Sequence, residues 1–199
     1  MVAGRCGTEA AVLEFERWFE GSRVVDEGGR PKVMYHGTDA EEDFAEFAVT
    51  EDVGFHFGSP GAANARLLQI RAFEHARIIP VFLSIRAPLR LPDLACWEPG
   101  DVVVALAEAG ILSNRGVREC RDAGFFGETE FRRALEKKGY DGVVYLNSTE
   151  GGGDSFIALR SEQIRSALCP LATLRRRSAT PRSVLRQAPV ERWFDPCLS

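Results

Sequence analysis

Read for spacing alone, the chain alternates between helical and β patterns. Apolar side chains at Ala11, Phe15, Trp18 and Phe19 form a helical stripe that Thr8 can cap and Gly21 can end. The runs "RVV" and "KVMY" flank "DEGGRP", and two β-prone runs around a Gly-Gly turn predict a hairpin. Residues 39–53 are acidic and irregular, with Phe44 and Phe47 as expected anchors. "GFHFG" at 54–58 predicts a short strand between glycines. Ser59 as N-cap and Pro60 in the first turn then open a helix whose inner face is expected to carry Ala65, Leu68, Ala72 and Ala76, with His75 on the surface.

"ARIIPVFLSIRAPLRL" follows as a strong strand run in which Pro80 suggests an edge or a bulge. Asp101 is placed to cap a helix through Ala109, and Thr129 one through Lys138. Lys137 and Lys138 lie near the negative end of the second, with Gly139 as its stop. "YDGVVYLN" and "SFIALR" read as two strands joined by "STEGGGD". Helices and strands are interspersed, but the β runs come as hairpins and short clustered segments. This predicts an α+β domain with a mostly antiparallel sheet or split sandwich. A doubly wound nucleotide fold is disfavoured: "GGGD" is not a GxGxxG opening a helix, and no GxxxxGK[ST] occurs.

Composition adds bounds. The 199 residues suit one domain of ordinary size; they are 45% hydrophobic and 27% charged, a globular balance. No apolar run reaches the roughly 18 residues a membrane span needs. The first twenty residues carry acids inside their apolar stretch, unlike a signal peptide, so a cytoplasmic, reducing setting is the expectation. The cysteines, Cys6, Cys96, Cys120, Cys169 and Cys197, are dispersed, odd in number and without a CxxC pair. They are expected to be mostly small buried groups, with no metal and no disulfide framework. Net charge is −4, but residues 170–199 hold six Arg against two acids and four prolines. The domain is therefore drawn at 1–169, with a basic tail at 170–199 that is either solvated or a contact for an anionic partner.

Three clusters offer chemistry. In "PKVMYHGTDA", Gly37 lets a ligand approach the backbone, and its N–H and C=O can pair with an amide. His36 and Thr38 flank it with groups that bond sugar hydroxyls. His56 lies between Phe55 and Phe57, so in a strand it faces opposite to both phenyl rings. If those rings face the core, His56 faces a cleft. The third cluster, "NSTEGGGDSF", packs Asn147, Glu150, Asp154 and Ser155 around a glycine-rich loop. A carboxylate there can stabilise positive charge building on a sugar carbon. Each cluster has a plain structural alternative: a packed histidine, a turn, a solvated acid.

The order "VVDEGGRPKVMYHGT", an Asp/Phe-rich loop, "GFHFGSPGAANAR", "SIRAPLRLPD" and "KKGYDGVVYLNSTEGGGDSFIALRSEQI" resembles an ADP-ribosyltransferase domain from about Arg23 to Ser166. It is similar to the domains of phage-encoded polyproteins and bacterial effectors, and more distantly to the catalytic domain of poly(ADP-ribose) polymerases. The resemblance implies a split β-sandwich that clasps NAD, as substrate, in a groove. It puts His36 on the adenosine ribose, the Gly37 backbone on the nicotinamide carboxamide, and Tyr35 and Thr38 in the same motif. His56 and Phe57 fall where a stacking tyrosine and its neighbour stand. Ala62 and Ala65 replace a hydroxyl residue and another tyrosine. Ser155 stands where polymerase-like members carry the catalytic glutamate. The resemblance therefore points to Glu150 first and Asp154 second as the acid, with Gln163 closing a turn.

The implied activity is transfer of ADP-ribose to a protein or nucleic-acid acceptor, without a metal, in the cytoplasm or in a host cell into which the protein is delivered. The alternatives are NAD glycohydrolysis, NAD or ADP-ribose binding without catalysis, and a purely structural or interaction domain.

Overall fold

The computed structural model describes residues 9–39, 53–69, 76–123 and 127–168. Thr8, Phe44, Phe47, Ala72, His75, Cys6, Cys169, Cys197 and the tail at 170–199 lie outside the described residues. The first helix, α1 (Glu9–Phe19), forms on the expected stripe. Phe15 stacks on Phe19 at 5.8 Å and meets Phe82 edge-on at 5.2 Å. Gly21 follows with φ +77°, a left-handed stop that glycine adopts without a Cβ penalty.

Two sheets follow. The first holds β1 (Met34–Thr38), β3 (Arg77–Leu83) and β7 (Ile164–Ser166) in the order β1-β3-β7, all antiparallel. The second holds β2 (Phe55–Phe57), β4 (Pro88–Arg90), β5 (Gly142–Leu146) and β6 (Asp154–Ala158) in the order β2-β6-β5-β4, with only β4 and β5 parallel. Met34, Val81 and Leu83 from the first sheet meet Phe55, Phe57, Val144 and Phe156 from the second in one core. The outer face of the second sheet, with Val143, Tyr145 and Ile157, is covered by α3 (Pro99–Glu108) and α5 (Glu128–Glu136) through Val102, Leu106, Phe131 and Leu135. α2 (Pro60–Gln69) covers the first sheet at Gly37, and α4 (Asn114–Ala123) follows α3. The molecule is α+β, with two mostly antiparallel sheets.

Several local expectations are corrected. The turn at 26–30 is tight, with Asp26 accepting from the Gly28 and Arg30 amides. The strand after it, however, leaves the hairpin after the Val25–Pro31 bridge and pairs with β3. The long run at 76–91 is two strands in two sheets, parted at Ser84–Ala87, where Asp141 accepts from the Arg86 and Ala87 amides. Pro80 sits in a central strand. Its carbonyl accepts from Ala167, so its nitrogen faces the same edge, beyond the end of the short β7, where no ladder bond is required.

The inner face of α2 is Ala62, Ala63 and Leu67, whereas Leu68 is exposed. Its Ser59 cap holds, accepting from the Ala62 amide at 3.1 Å. α3 starts two residues before Asp101, because Pro99 fits the first turn. At α5, Glu130 reaches back to the Gly127 amide at 3.3 Å, so the helix begins before Thr129. α4 was not anticipated: in "NRGVRECRDA" the apolar stripe is as thin as Val117 and Cys120, the latter packed on the outer core, while Ser113 Oγ accepts from the Gly116 amide at 3.2 Å and Arg115 pairs with Glu119 at 2.7 Å. Cys96 is disulfide-bonded, against the expectation of no disulfide framework, and Cys120 is a free thiol.

Gln163 closes its turn as expected and does more. Its Oε1 accepts from the Leu159 and Arg160 amides at 3.0 Å each. Its Nε2 donates to the carbonyls of Asp141 at 2.7 Å and Ser84 at 3.3 Å. One side chain thus ties the end of β6, the start of β5 and the break between β3 and β4. Gln163→Ala leaves several of these backbone groups unpaired and should lower stability by about 2–3 kcal/mol, read as a shifted urea midpoint with unchanged slope.

Candidate functional site

The two sheets are joined at one corner. The Tyr35 amide donates to the Gly58 carbonyl at 3.0 Å, and the Gly58 amide returns the bond to Tyr35 at 2.9 Å. This sets β1 against the end of β2. His36, one residue along, turns its ring between the sheets, packs on Phe57 at 5.4 Å and donates from Nδ1 to the His56 carbonyl at 2.8 Å. Thr38 shares the His36 side of the strand and is buried. Tyr35 and Gly37 face the other side.

A Cβ at Gly37 would collide with the Ala63 carbonyl of α2, so helix packing alone requires glycine there. Its backbone groups share the strand edge that Tyr35 presents to Gly58, away from β3.

Phe55 and Phe57 do face the core, and His56 points the other way. There it meets Trp97 edge-on at 5.4 Å, and its Nδ1 lies 3.4 Å from the Tyr145 hydroxyl. Tyr145 pairs across the ladder with Ser155, which brings the phenol and the serine to one face of the sheet. Asn147 donates from Nδ2 to Glu150 Oε2 at 2.8 Å and to Ser155 Oγ at 3.2 Å, and its Oδ1 accepts the Glu150 amide at 2.8 Å. His56, Tyr145, Ser155, Asn147 and Glu150 are therefore one polar cluster, tied to His36 through the backbone of β2. A Cβ at Gly58 would meet Ser155 Oγ at 2.8 Å, so glycine is what lets β2 close over that serine.

Glu150 rides on a turn that only glycine can make: Gly151, Gly152 and Gly153 take φ of +110°, +81° and +87° in succession. The carboxyl is half-buried. Burial pushes its pKa above the ordinary value, a shift that the Asn147 amide and the Arg66 cation oppose and the Asp93 carboxylate reinforces. Burial also raises the Tyr145 phenol, with the negative charges of Glu150 and Asp93 adding to the effect, so it stays protonated. The His56 imidazole is pushed down to about 3 by burial, then by the charges of Arg66 and His36, and is neutral at physiological pH.

Asp154 is not brought to this cluster. It alternates with Ser155 to the opposite face of β6, where Arg90 holds it through two bonds of 3.0 and 2.9 Å. Tyr145, Trp97, Arg66 and Asp93 join the site unanticipated. The ladder register would have signalled Tyr145, since it opposes Ser155. Trp97 and Asp93 come from a loop that no local pattern ties to the glycine turn.

An α+β fold of two mostly antiparallel sheets, joined where a first-strand histidine meets a second-sheet polar cluster, is consistent with the ADP-ribosyltransferase-like split sandwich. Residues 26–171 match the family described as ADP-ribosyltransferase in polyvalent proteins, well over half of the chain, and the chain belongs to that family. No curated protein and no solved structure matches the chain. No described helix is long and apolar enough to cross a membrane.

The depressed histidine gives a signed pH dependence. The unfolded chain takes up a proton near pH 6.5 that folded His56 refuses until about pH 3. His56 therefore contributes stability above pH 6.5 that is lost as pH falls towards 3. Chemical denaturation from pH 7.5 to 4.5 should show a steeper fall for the wild type than for His56→Gln, and the His56 ring protons should not titrate by NMR between pH 5 and 8.

Proposed function

We propose that the protein cleaves the bond between nicotinamide and its ribose in NAD and transfers ADP-ribose to a macromolecular acceptor, with Glu150 as the acting carboxylate. The observation that carries this reading is the half-buried Glu150 carboxyl, held by Asn147 within the cluster that contains His56, Tyr145 and Ser155. Burying a charge is costly, and a chain that keeps one in a polar recess beside a cation has placed a functional candidate there.

The reaction needs little acid chemistry. The C–N glycosidic bond breaks with its electron pair leaving on nicotinamide, which the departing positive charge already favours. The acceptor's nucleophile forms the new bond to the anomeric carbon and gives up its proton to solvent or to the carboxylate. The protein must hold both ends of the nucleoside and set negative charge beside the developing oxocarbenium ion. Glu150 supplies that charge and can accept a hydrogen bond from a ribose hydroxyl. The backbone N–H and C=O of Gly37, on the strand edge turned away from β3, suit a carboxamide. His36 and Thr38 face the space between the sheets, where a ribose hydroxyl would be met. Ser155, though it stands in the place of the polymerase glutamate, bonds Asn147 and lies on the same face as Tyr145. It acts through the Asn147–Glu150 pair.

Labelled NAD tests this. Wild type should place label on a protein or nucleic acid from a lysate. Free ADP-ribose alone would mean glycohydrolysis, and a thermal shift with NAD but no turnover would mean a binding module. Glu150→Gln should lower turnover about 100- to 1000-fold while keeping the thermal shift. Because the charged carboxyl is disfavoured by burial, this variant should be no less stable than wild type at pH 7. Asp154→Asn should keep wild-type turnover within about twofold, since an exposed ion pair contributes little. Full turnover by Glu150→Gln would overturn the assignment of the acid.

A further inference from the structure

The loop between β4 and α3 holds a carboxylate with an unusual load. Asp93 Oδ2 accepts from the Ser148 amide at 2.9 Å, the Ser148 hydroxyl at 3.2 Å, the Thr149 amide at 3.1 Å and the Thr149 hydroxyl at 2.9 Å. Its Oδ1 accepts from the Ala95 amide at 3.0 Å. Four of these five bonds go to the two residues that immediately precede Glu150. The glycines after Glu150 pack on nothing, since a Cβ at Gly151, Gly152 or Gly153 would meet no atom within 4 Å, and the turn closes on that side through the Asn147 amide, which donates to the Gly153 carbonyl at 2.9 Å.

The loop that carries Asp93, the acceptor side of the contact, is itself held under strain. Ala95 and Trp97 both take left-handed φ, +56° and +54°, a conformation unfavourable for residues with a Cβ. The strain is matched by packing, for the Trp97 ring lies 4.8 Å from Tyr145 and 5.4 Å from His56. The loop thus grips the cluster twice, through a ring on one side and a carboxylate on the other.

We propose that Asp93 is the positioning residue for Glu150: it fixes the 148–149 backbone so that the Glu150 carboxyl stays in the polar cluster and does not swing out on its glycine hinge. This rests on the reading of Glu150 as the acting carboxylate. Asp93 also reaches Glu150 through its field. Among the described residues, the charged or titratable groups whose fields bear on the Glu150 carboxyl are Asp93 from this loop and Arg66 from α2. Tyr145 from β5 stands beside it as a neutral phenol, and His56 from β2 lies on the same face as a neutral ring. Asp93 disfavours ionisation of Glu150 and Arg66 favours it. Removing the Asp93 charge therefore lowers the Glu150 pKa even as it loosens the turn.

The test is Asp93→Asn in the full chain, alone and combined with Glu150→Gln. Asparagine keeps the size but offers one acceptor oxygen instead of two. Turnover should fall about 100-fold, the cost of a misplaced catalytic group, with the KM for NAD changed less than about threefold. The acid limb of the kcat profile should move to lower pH. In the Glu150→Gln background the second substitution should have no further effect on turnover, because a residue that acts through another adds nothing once that other is gone. The Glu150 side-chain carboxyl, followed by carbon NMR, should titrate lower in Asp93→Asn whether or not the enzyme turns over.

Outcomes separate cleanly. An inactive Glu150→Gln together with a fully active Asp93→Asn, or an unmoved Glu150 titration, overturns the positioning role alone. Full activity in Glu150→Gln overturns the reading on which it rests. A loss in Asp93→Asn that is equally large in the double variant's background shows a merely structural role and also overturns the proposal.

Discussion

The pair of backbone hydrogen bonds between Tyr35 and Gly58 is the constraint on which the rest of the molecule turns. Two sheets could pack face to face through their apolar cores in many relative positions, since apolar contact is not directional. The Tyr35–Gly58 exchange removes that freedom at one corner. It sets His36 one residue from the junction and within hydrogen-bond reach of the His56 carbonyl. The polar cluster is then strung along the second sheet from that point: His56 on β2, Ser155 on β6, Tyr145 on β5 and the glycine turn between the last two.

The second sheet carries two environments on its two faces. One faces the other sheet and is apolar, with Phe55, Phe57, Val144 and Phe156. The other is apolar under the helices but polar towards the glycine turn, where Tyr145, Ser155 and Asn147 are buried and hydrogen-bonded. Strand alternation decides which acid belongs to which environment. Asp154 and Ser155 are adjacent in the chain yet on opposite faces, and only the serine faces the cluster. Glu150, released from the strand by three glycines, can fold back where a strand residue could not.

That arrangement has a cost in stability terms, and the molecule offsets it locally. A half-buried carboxyl is disfavoured, and Asn147 and Arg66 counter part of the penalty. The left-handed Ala95 and Trp97 are strained, and the hydrogen bonds to Asp93 and the ring contacts of Trp97 compensate them. Gln163 does comparable work at the far end of the same strands, where four hydrogen bonds satisfy backbone groups at the strand ends and the break in the β3–β4 run. The left-handed Ala95 and Trp97 and the half-buried Glu150 lie on the side of the glycine turn, while Gln163 bonds the strand ends on the opposite side.

Much of this is legible in the amino-acid sequence itself. Period-2 alternation placed His56 opposite Phe55 and Phe57, because that follows from strand geometry alone. Three successive glycines announced a backbone that other residues disfavour. The Ser-Pro start of α2 and the turn made by Gln163 follow from local hydrogen bonding, which acts over a few residues and so leaves its mark in short sequence. Only the tertiary structure could decide the rest. Ladder register chose Tyr145 as the partner of Ser155 and sent Asp154 to Arg90. The approach of α2 gave Gly37 its steric purpose, and a loop some fifty residues away brought Asp93 beneath the glycine turn. These contacts join segments far apart in the chain, and such pairings depend on the whole packed arrangement rather than on any local preference.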